Sequence, residues 1–128
     1  SLYECPAARW SCEIHADGTV SPCTMSRIEI PSEILAFENI LDFSISEIWN
    51  GPIFTKFRKW QDSGCSGCKI KKECGRCIPQ SIKWFNDPML PPPSCVMKGE
   101  LLNLDNLESL RNTLTKNAKK EDRKTSFV

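Results

Sequence analysis

The chain has 128 residues, with 17 Lys/Arg against 16 Asp/Glu and 40% hydrophobic residues, which sets the expectation of one domain with a modest core. No apolar run is long enough for a signal peptide or a membrane span, so a soluble, cytoplasmic chain is expected, and its opening on Ser1 suits a piece of a longer protein. Residues 111–128 carry six Lys/Arg against two Asp/Glu, leaving 11 against 14 in residues 1–110, so basic character is confined to the tail.

Residues 10–16 alternate large apolar and polar side chains, Asp17-Gly18 follows, and Thr19-Val20-Ser21 resumes an extended pattern, which predicts a β-hairpin with a tight turn. Pro22 cannot donate to a strand ladder, so the chain leaves the sheet at Cys23. Cys5 and Cys23 then bracket the hairpin and can meet near its open end. Residues 24–43 read as loop with a short packed turn around Ile34, Leu35, Phe37, Ile40 and Leu41. Ser44 or Ser46 caps a helix that begins near Ile45, with Glu47 in its first turn. Gly51-Pro52 interrupts it. A second helix from Pro52 places Ile53, Phe54, Phe57 and Trp60 on one face and stops at Gly64.

Pro79 to Phe85 suits a further short helix, and Asp87-Pro88 with Pro91-Pro92-Pro93 forms an extended linker to Cys95. Leu101, Leu104, Leu107, Leu110 and Leu114 fall at helical spacing, followed by a frayed basic stretch from Asn117. That helix is expected to pack on the domain or on a partner rather than on a membrane, because its polar face lacks a basic excess. The Lys/Arg run has no aromatic residue interleaved with it, so a solubilising tail is expected rather than a nucleic-acid arm. The expected fold class is small α+β and metal-stabilised: an N-terminal β-hairpin, short helices, a cysteine-rich loop half and a C-terminal amphipathic helix.

Eight cysteines allow four disulfides in a secreted protein or metal ligands in a reducing cytosol. Their spacing favours metal. Cys65, Cys68, Cys74 and Cys77 form two Cys-x-x-Cys pairs within thirteen residues, too close for disulfide pairing to leave room for a fold. Zinc ribbons separate such pairs by about 15–20 residues, and five is too few for that arrangement. Eight thiolates divide without remainder into two sets of four, the ligand count of two [4Fe-4S] clusters. Gly64, Gly67 and Gly75 suit close approach of backbone to inorganic sulfide. Lys69, Lys71, Lys72 and Arg76 would offset thiolate charge, or else form a solvated loop face. His15 has no nucleophile beside it and reads as a surface or packing residue. For Trp10, Trp49, Trp60 and Trp84 the reading is buried core for most, over a substrate platform.

The pattern Cys5-x12-Gly18-x4-Cys23, Cys65-x2-Cys68-x5-Cys74-x2-Cys77 and Cys95 resembles the seven-cysteine signature of SPASM domains, which lie C-terminal to the catalytic barrel in many radical SAM peptide- and protein-modifying enzymes. The segment Asn39–Asn50, with its Ile48-Trp49-Asn50, and the hairpin run Asp17-Gly18-Thr19-Val20-x-Pro22-Cys23 are similar to the family as well. The resemblance covers residues 5–95. It implies two auxiliary [4Fe-4S] clusters, with Cys5, Cys23 and Cys77 binding the first and Cys65, Cys68, Cys74 and Cys95 the second. Cys12 is the extra cysteine, either the first cluster's fourth ligand or a buried hairpin residue. Two departures stand out: two residues rather than the family's usual three separate Cys74 from Cys77, and Glu38 stands where a glycine often precedes the Asn-Ile pair.

The resemblance further implies electron transfer and docking of a peptide or protein substrate, as part of or partner to a radical SAM catalytic domain or protein. No Cys-x3-Cys-x2-Cys motif occurs, so no S-adenosylmethionine site and no radical chemistry are expected of this chain alone. Residues 1–100 are expected to form the iron–sulfur domain and residues 101–128 the C-terminal helix and basic flexible tail. The rival reading is a zinc-binding protein or nucleic-acid interaction module. Zinc can also substitute at these thiolates, because affinity alone does not select the biological metal.

Overall fold

The computed structural model describes residues 5–71, 74–95, Asn112, Thr115 and Lys116. The expected hairpin is present but short. Strand β1 (Glu13–Ile14) pairs antiparallel with β2 (Val20–Ser21), Glu13 opposite Ser21 and Ile14 opposite Val20. Its turn is built as the sequence suggests: the Gly18 N–H donates to the His15 carbonyl at 2.9 Å, and Thr19 N–H to Asp17 Oδ1 at 3.0 Å. Gly18 sits at φ +86°, a conformation that costs other residues energy. Residues 10–12 do not extend β1, because the Trp10 and Ser11 N–H groups both donate to the Pro6 carbonyl and close a turn of their own. The ladder partner comes instead from the following loop, where Val20 N–H donates to the Glu38 carbonyl and Ile40 N–H to the Gly18 carbonyl, each at 2.9 Å. Thr19 and Asn39 form the bridge between them.

Residues 24–43 are not all loop. Helix α1 (Thr24–Glu29) starts directly from Cys23, whose side chain accepts from Ser26 N–H. A six-residue helix with β-branched Thr24 and Ile28 and a cysteine as its cap carries little propensity or capping signal. Its existence depends on packing. Helix α2 (Ile45–Asn50) follows Ser44, and Ser44 and Glu47 close a reciprocal capping box. Gly51 is extended, and α3 (Pro52–Ser63) begins with proline at its first position. Helix α4 (Ile78–Phe85) begins at Cys77 and ends on Asn86 in a left-handed conformation at φ +56°. The predicted boundaries of α2, α3 and α4 hold to within a residue or so.

The core gathers Phe54 and Phe57 from α3, Ile48 from α2, Ile78 and Ile82 from α4, Val20 from β2, and Ala7, Ala8, Ile30 and Leu35 from the connecting segments. Trp49 and Trp60 pack at its edge, with Trp49 at 5.7 Å from Phe54 between ring centroids. Trp10 departs from the core expectation at 71% exposed, placed outward by the Pro6–Ser11 turn. A small α+β domain is therefore correct. The leucine stripe from Leu101 to Leu114 and the basic stretch after it lie outside the described residues, apart from Asn112, Thr115 and Lys116. Among the described residues no helix is long and apolar enough to cross a membrane.

Candidate metal centre

All eight cysteines are free thiols, and the fold brings seven of them into two neighbouring groups. In the first, Cys23 is the residue from which α1 starts and Cys77 the residue from which α4 starts. Helices α1 and α4 pack against each other, with Lys83 Nζ 3.4 Å from Glu29 Oε1 across the contact. Fully buried Ser26 and Ser81 lie in these two helices. Ser26 supports Cys23 directly, with its N–H at 3.4 Å and its hydroxyl at 3.1 Å from Sγ. The Cys77 thiol is pushed up chiefly by burial. The Gln80 backbone N–H, which faces it without closing a full hydrogen bond, pulls it back down, and the charges of Cys23, Cys5 and Glu29 raise it further. The starts of α1 and α4 thus bring Cys23 and Cys77 to one region.

Cys5 reaches that region because α3 holds the segment before the hairpin. Arg58 Nε donates to the Ala8 carbonyl at 2.7 Å and Gln61 Nε2 to the Ala7 carbonyl at 2.9 Å, so two side chains one turn apart on α3 fix the backbone next to Cys5. The guanidinium of Arg58 is itself stacked 4.8 Å from the Trp49 ring centroid. Sequence spacing contained no sign of this clamp, since its acceptors are main-chain atoms some fifty residues away.

The second group surrounds a cavity of about 280 Å³. Cys65, Cys68, Cys74 and Cys95 line it, joined by Cys5 from the first group and by Arg9, Gln61, Asp62, Lys71 and Arg76. Cys65 follows Gly64 at the end of α3 and adopts φ +56°, while Gly67 adopts φ +83°, two left-handed residues that curl the chain around the cavity. Cys68 N–H donates to the Cys65 carbonyl at 3.1 Å and Cys74 N–H to the Ile70 carbonyl at 2.9 Å, keeping the curl compact. Pro91 and Pro92 also line the cavity and lead to Cys95, whose N–H donates to the Pro92 carbonyl at 3.0 Å. The Cys65 thiol is raised chiefly by burial, lowered by Arg76, and raised again by Cys95, Cys68 and Cys74.

Cys12 is half-buried against the core, and burial alone raises its thiol. His15 Nε2 lies 2.7 Å from Ser21 Oγ, which in turn donates to the Cys23 carbonyl at 2.8 Å, so His15 braces the hairpin exit. Lys69 is solvated, Lys71 lines the cavity and donates to the Asp62 carbonyl, and Lys72 lies outside the described residues.

The donor set is all thiol, which suits iron–sulfur clusters and structural zinc alike. Among the described residues no three His, Cys, Asp or Glu donors close on one ion-sized point; the thiols of the second group ring a cavity instead. Thiolates on a single zinc, at Zn–S of about 2.3 Å, crowd together, whereas a cubane spreads its four ligands over separate iron atoms. Thiols ringing a cavity are suited to ligate an iron–sulfur cluster.

Fold and thiol arrangement together define a small cysteine-rich α+β domain. Residues 5–78 match the SPASM family, described as an iron-sulfur cluster-binding domain, and the chain belongs to that family. The chain is also 35% identical over 82 residues to the PqqA peptide cyclase of Gluconobacter oxydans (strain 621H), a match covering 61% of this chain and 22% of that protein. The chain thus spans about a fifth of the length of its curated relative. No solved structure matches it.

Proposed function

We propose that the chain is the auxiliary iron–sulfur domain of a radical SAM maturase, or a separate partner to one, carrying two [4Fe-4S] clusters for electron transfer and for docking of a peptide or protein substrate. The observation that supports this reading most is the cavity lined by Cys65, Cys68, Cys74 and Cys95, with Cys5 shared between its wall and the Cys23–Cys77 region. Cys5, Cys23 and Cys77 hold the first cluster, with Cys12 as the fourth thiolate by count. Cys65, Cys68, Cys74 and Cys95 hold the second. The peptide-cyclase relative supports a peptide as the substrate class. Residues 1–100 form the cluster domain in this reading and residues 101–128 a separate helix and basic tail.

When bound, such clusters supply one-electron chemistry. This chain's residues fix the ligands, exclude water and set the local charge. Binding would also stabilise the fold, because a cluster engages the thiolates as the folded chain gathers them and not as the unfolded chain scatters them. The test is anaerobic reconstitution followed by iron, sulfide and zinc quantification and a redox titration monitored by electron paramagnetic resonance. The expected result is iron with labile sulfide and two reducible centres. Zinc without labile sulfide, after anaerobic reconstitution, would overturn the electron-transfer reading in favour of a zinc interaction module.

A further inference from the structure

Among the described residues four cations lie near the second group of thiols, and the structure treats them differently. Lys69 is exposed. Arg9 pairs with the Asp62 carboxylate and Lys71 donates to the Asp62 carbonyl, so both line the cavity beside an acidic residue. Arg76 is half-buried, and among the described residues its guanidinium is held by carbonyls alone: Nη1 donates to Pro88 O at 2.6 Å and Nη2 to Trp60 O. Trp60 O is one of the last carbonyls of α3, which also accepts from Gly64 N–H at 3.0 Å. A carbonyl anchors a guanidinium without cancelling its charge. Arg76 therefore brings a net positive charge to a cavity wall shared with Cys65 and Cys74, the two thiols with which it interacts electrostatically.

Gly64 completes the slot. A Cβ at residue 64 would overlap the Arg76 guanidinium, so the guanidinium can lie there only because residue 64 has no side chain. The backbone at Gly64, φ −69° and ψ 150°, is one that alanine adopts freely. Glycine is needed there for space rather than for conformation.

We infer that Arg76, seated by Gly64 between the Trp60 and Pro88 carbonyls, is a positioning residue that sets the reduction potential of the cluster held by Cys65, Cys68, Cys74 and Cys95. The inference rests on the two-cluster reading. Reduction adds negative charge to a cluster, and a fixed cation in a partly desolvated wall favours the more negative state, so Arg76 raises that potential. Arg76 precedes Cys77 in the chain, but its guanidinium interacts with Cys65 and Cys74 and not with Cys77, so the first group is little affected.

The test compares the anaerobically reconstituted chain with Arg76→Met, Arg76→Lys and Gly64→Ala, measuring iron and sulfide content and both midpoint potentials. Arg76→Met is expected to keep its iron and sulfide while one midpoint becomes more negative and the other stays in place, with Arg76→Lys shifted less. Gly64→Ala, which displaces the guanidinium while leaving its charge in the chain, is expected to shift the same midpoint in the same direction. Full iron content with unmoved potentials in Arg76→Met, or loss of iron in both Arg76→Met and Gly64→Ala, would make Arg76 a structural tether only and overturn the inference. If Arg76→Met alone loses iron, the midpoint of Gly64→Ala decides. A parent chain without iron and sulfide would instead overturn the cluster reading itself.

Discussion

Gly18→Ala tests the link between the hairpin turn and the loop that follows α1. Gly18 occupies φ +86°, where a Cβ costs about 1–2 kcal/mol. That Cβ would also stand 2.5 Å from Asn39 Oδ1, so Asn39 must move. Moving it breaks two hydrogen bonds, Asn39 Nδ2 to the Asp17 carbonyl and Leu41 N–H to Asn39 Oδ1, each 2.9 Å long and each contributing about 1 kcal/mol. The expected total is about 3–4 kcal/mol, a large share of the stability of a small domain. Asn39→Ala alone removes the same two bonds and should cost about 2 kcal/mol, and Gly18→Ala added to it should cost only the backbone component, about 1–2 kcal/mol. Anaerobic urea denaturation followed by tryptophan fluorescence gives all four corners of the cycle. Equal costs for Gly18→Ala in both backgrounds would refute the steric coupling between turn and loop.

Ser44→Ala removes half of the α2 capping box and should lower stability by about 1 kcal/mol in the same assay. Phe54→Ala, at a fully buried site in contact with Trp49, should cost about 3–5 kcal/mol and lower iron retention, because α3 carries both the Cys5 clamp and the approach to Cys65. Glu47 is held below the usual carboxylate range by its hydrogen bonds from Ser44, and Asp17 by the bond from Thr19 N–H. Their folded pKa values are depressed, so their contribution is fully present above the ordinary carboxylate range and is lost as pH falls through that range toward the lowered values. The stability difference between the parent chain and Glu47→Gln, read from denaturation midpoints, should therefore shrink as pH falls.

The parts of the fold legible in the sequence are those written in local chemistry. Asp17-Gly18 announces a turn that needs positive φ, Ser44 with Glu47 announces a helix start, and Gly51-Pro52 divides two helices whose faces repeat every three or four residues. Helix α1 was not legible, because its cap is a cysteine and its stability comes from lying against α4. The short β1 was missed for a related reason: the Pro6 carbonyl captures residues 10 and 11, an interaction that alternation of polar and apolar side chains cannot reveal.

The cysteine pattern singled out the thiols, and what it could not show is how they are supported. Cys23 and Cys77 were read as metal ligands, but their shared position at helix starts follows from the packing of α1 on α4. Arg76 looked like one of four equivalent loop cations, and only the Trp60 and Pro88 carbonyls distinguish it from solvated Lys69. Arg58 and Gln61 carried no metal-site signal because they act on the backbone beside a ligand rather than on the ligand. For Arg76, Arg58 and Gln61 the deciding tertiary contacts are with main-chain atoms.

The most direct test of the account is iron and sulfide stoichiometry of the anaerobically reconstituted chain beside a Cys65→Ala, Cys68→Ala double variant. Two separate ligand sets predict about eight irons and eight sulfides per chain, falling by roughly half in the variant, with one of two reducible centres retained. Loss of all iron in a variant that remains folded, or full retention of both centres, would contradict the division of the thiols into two cluster sites.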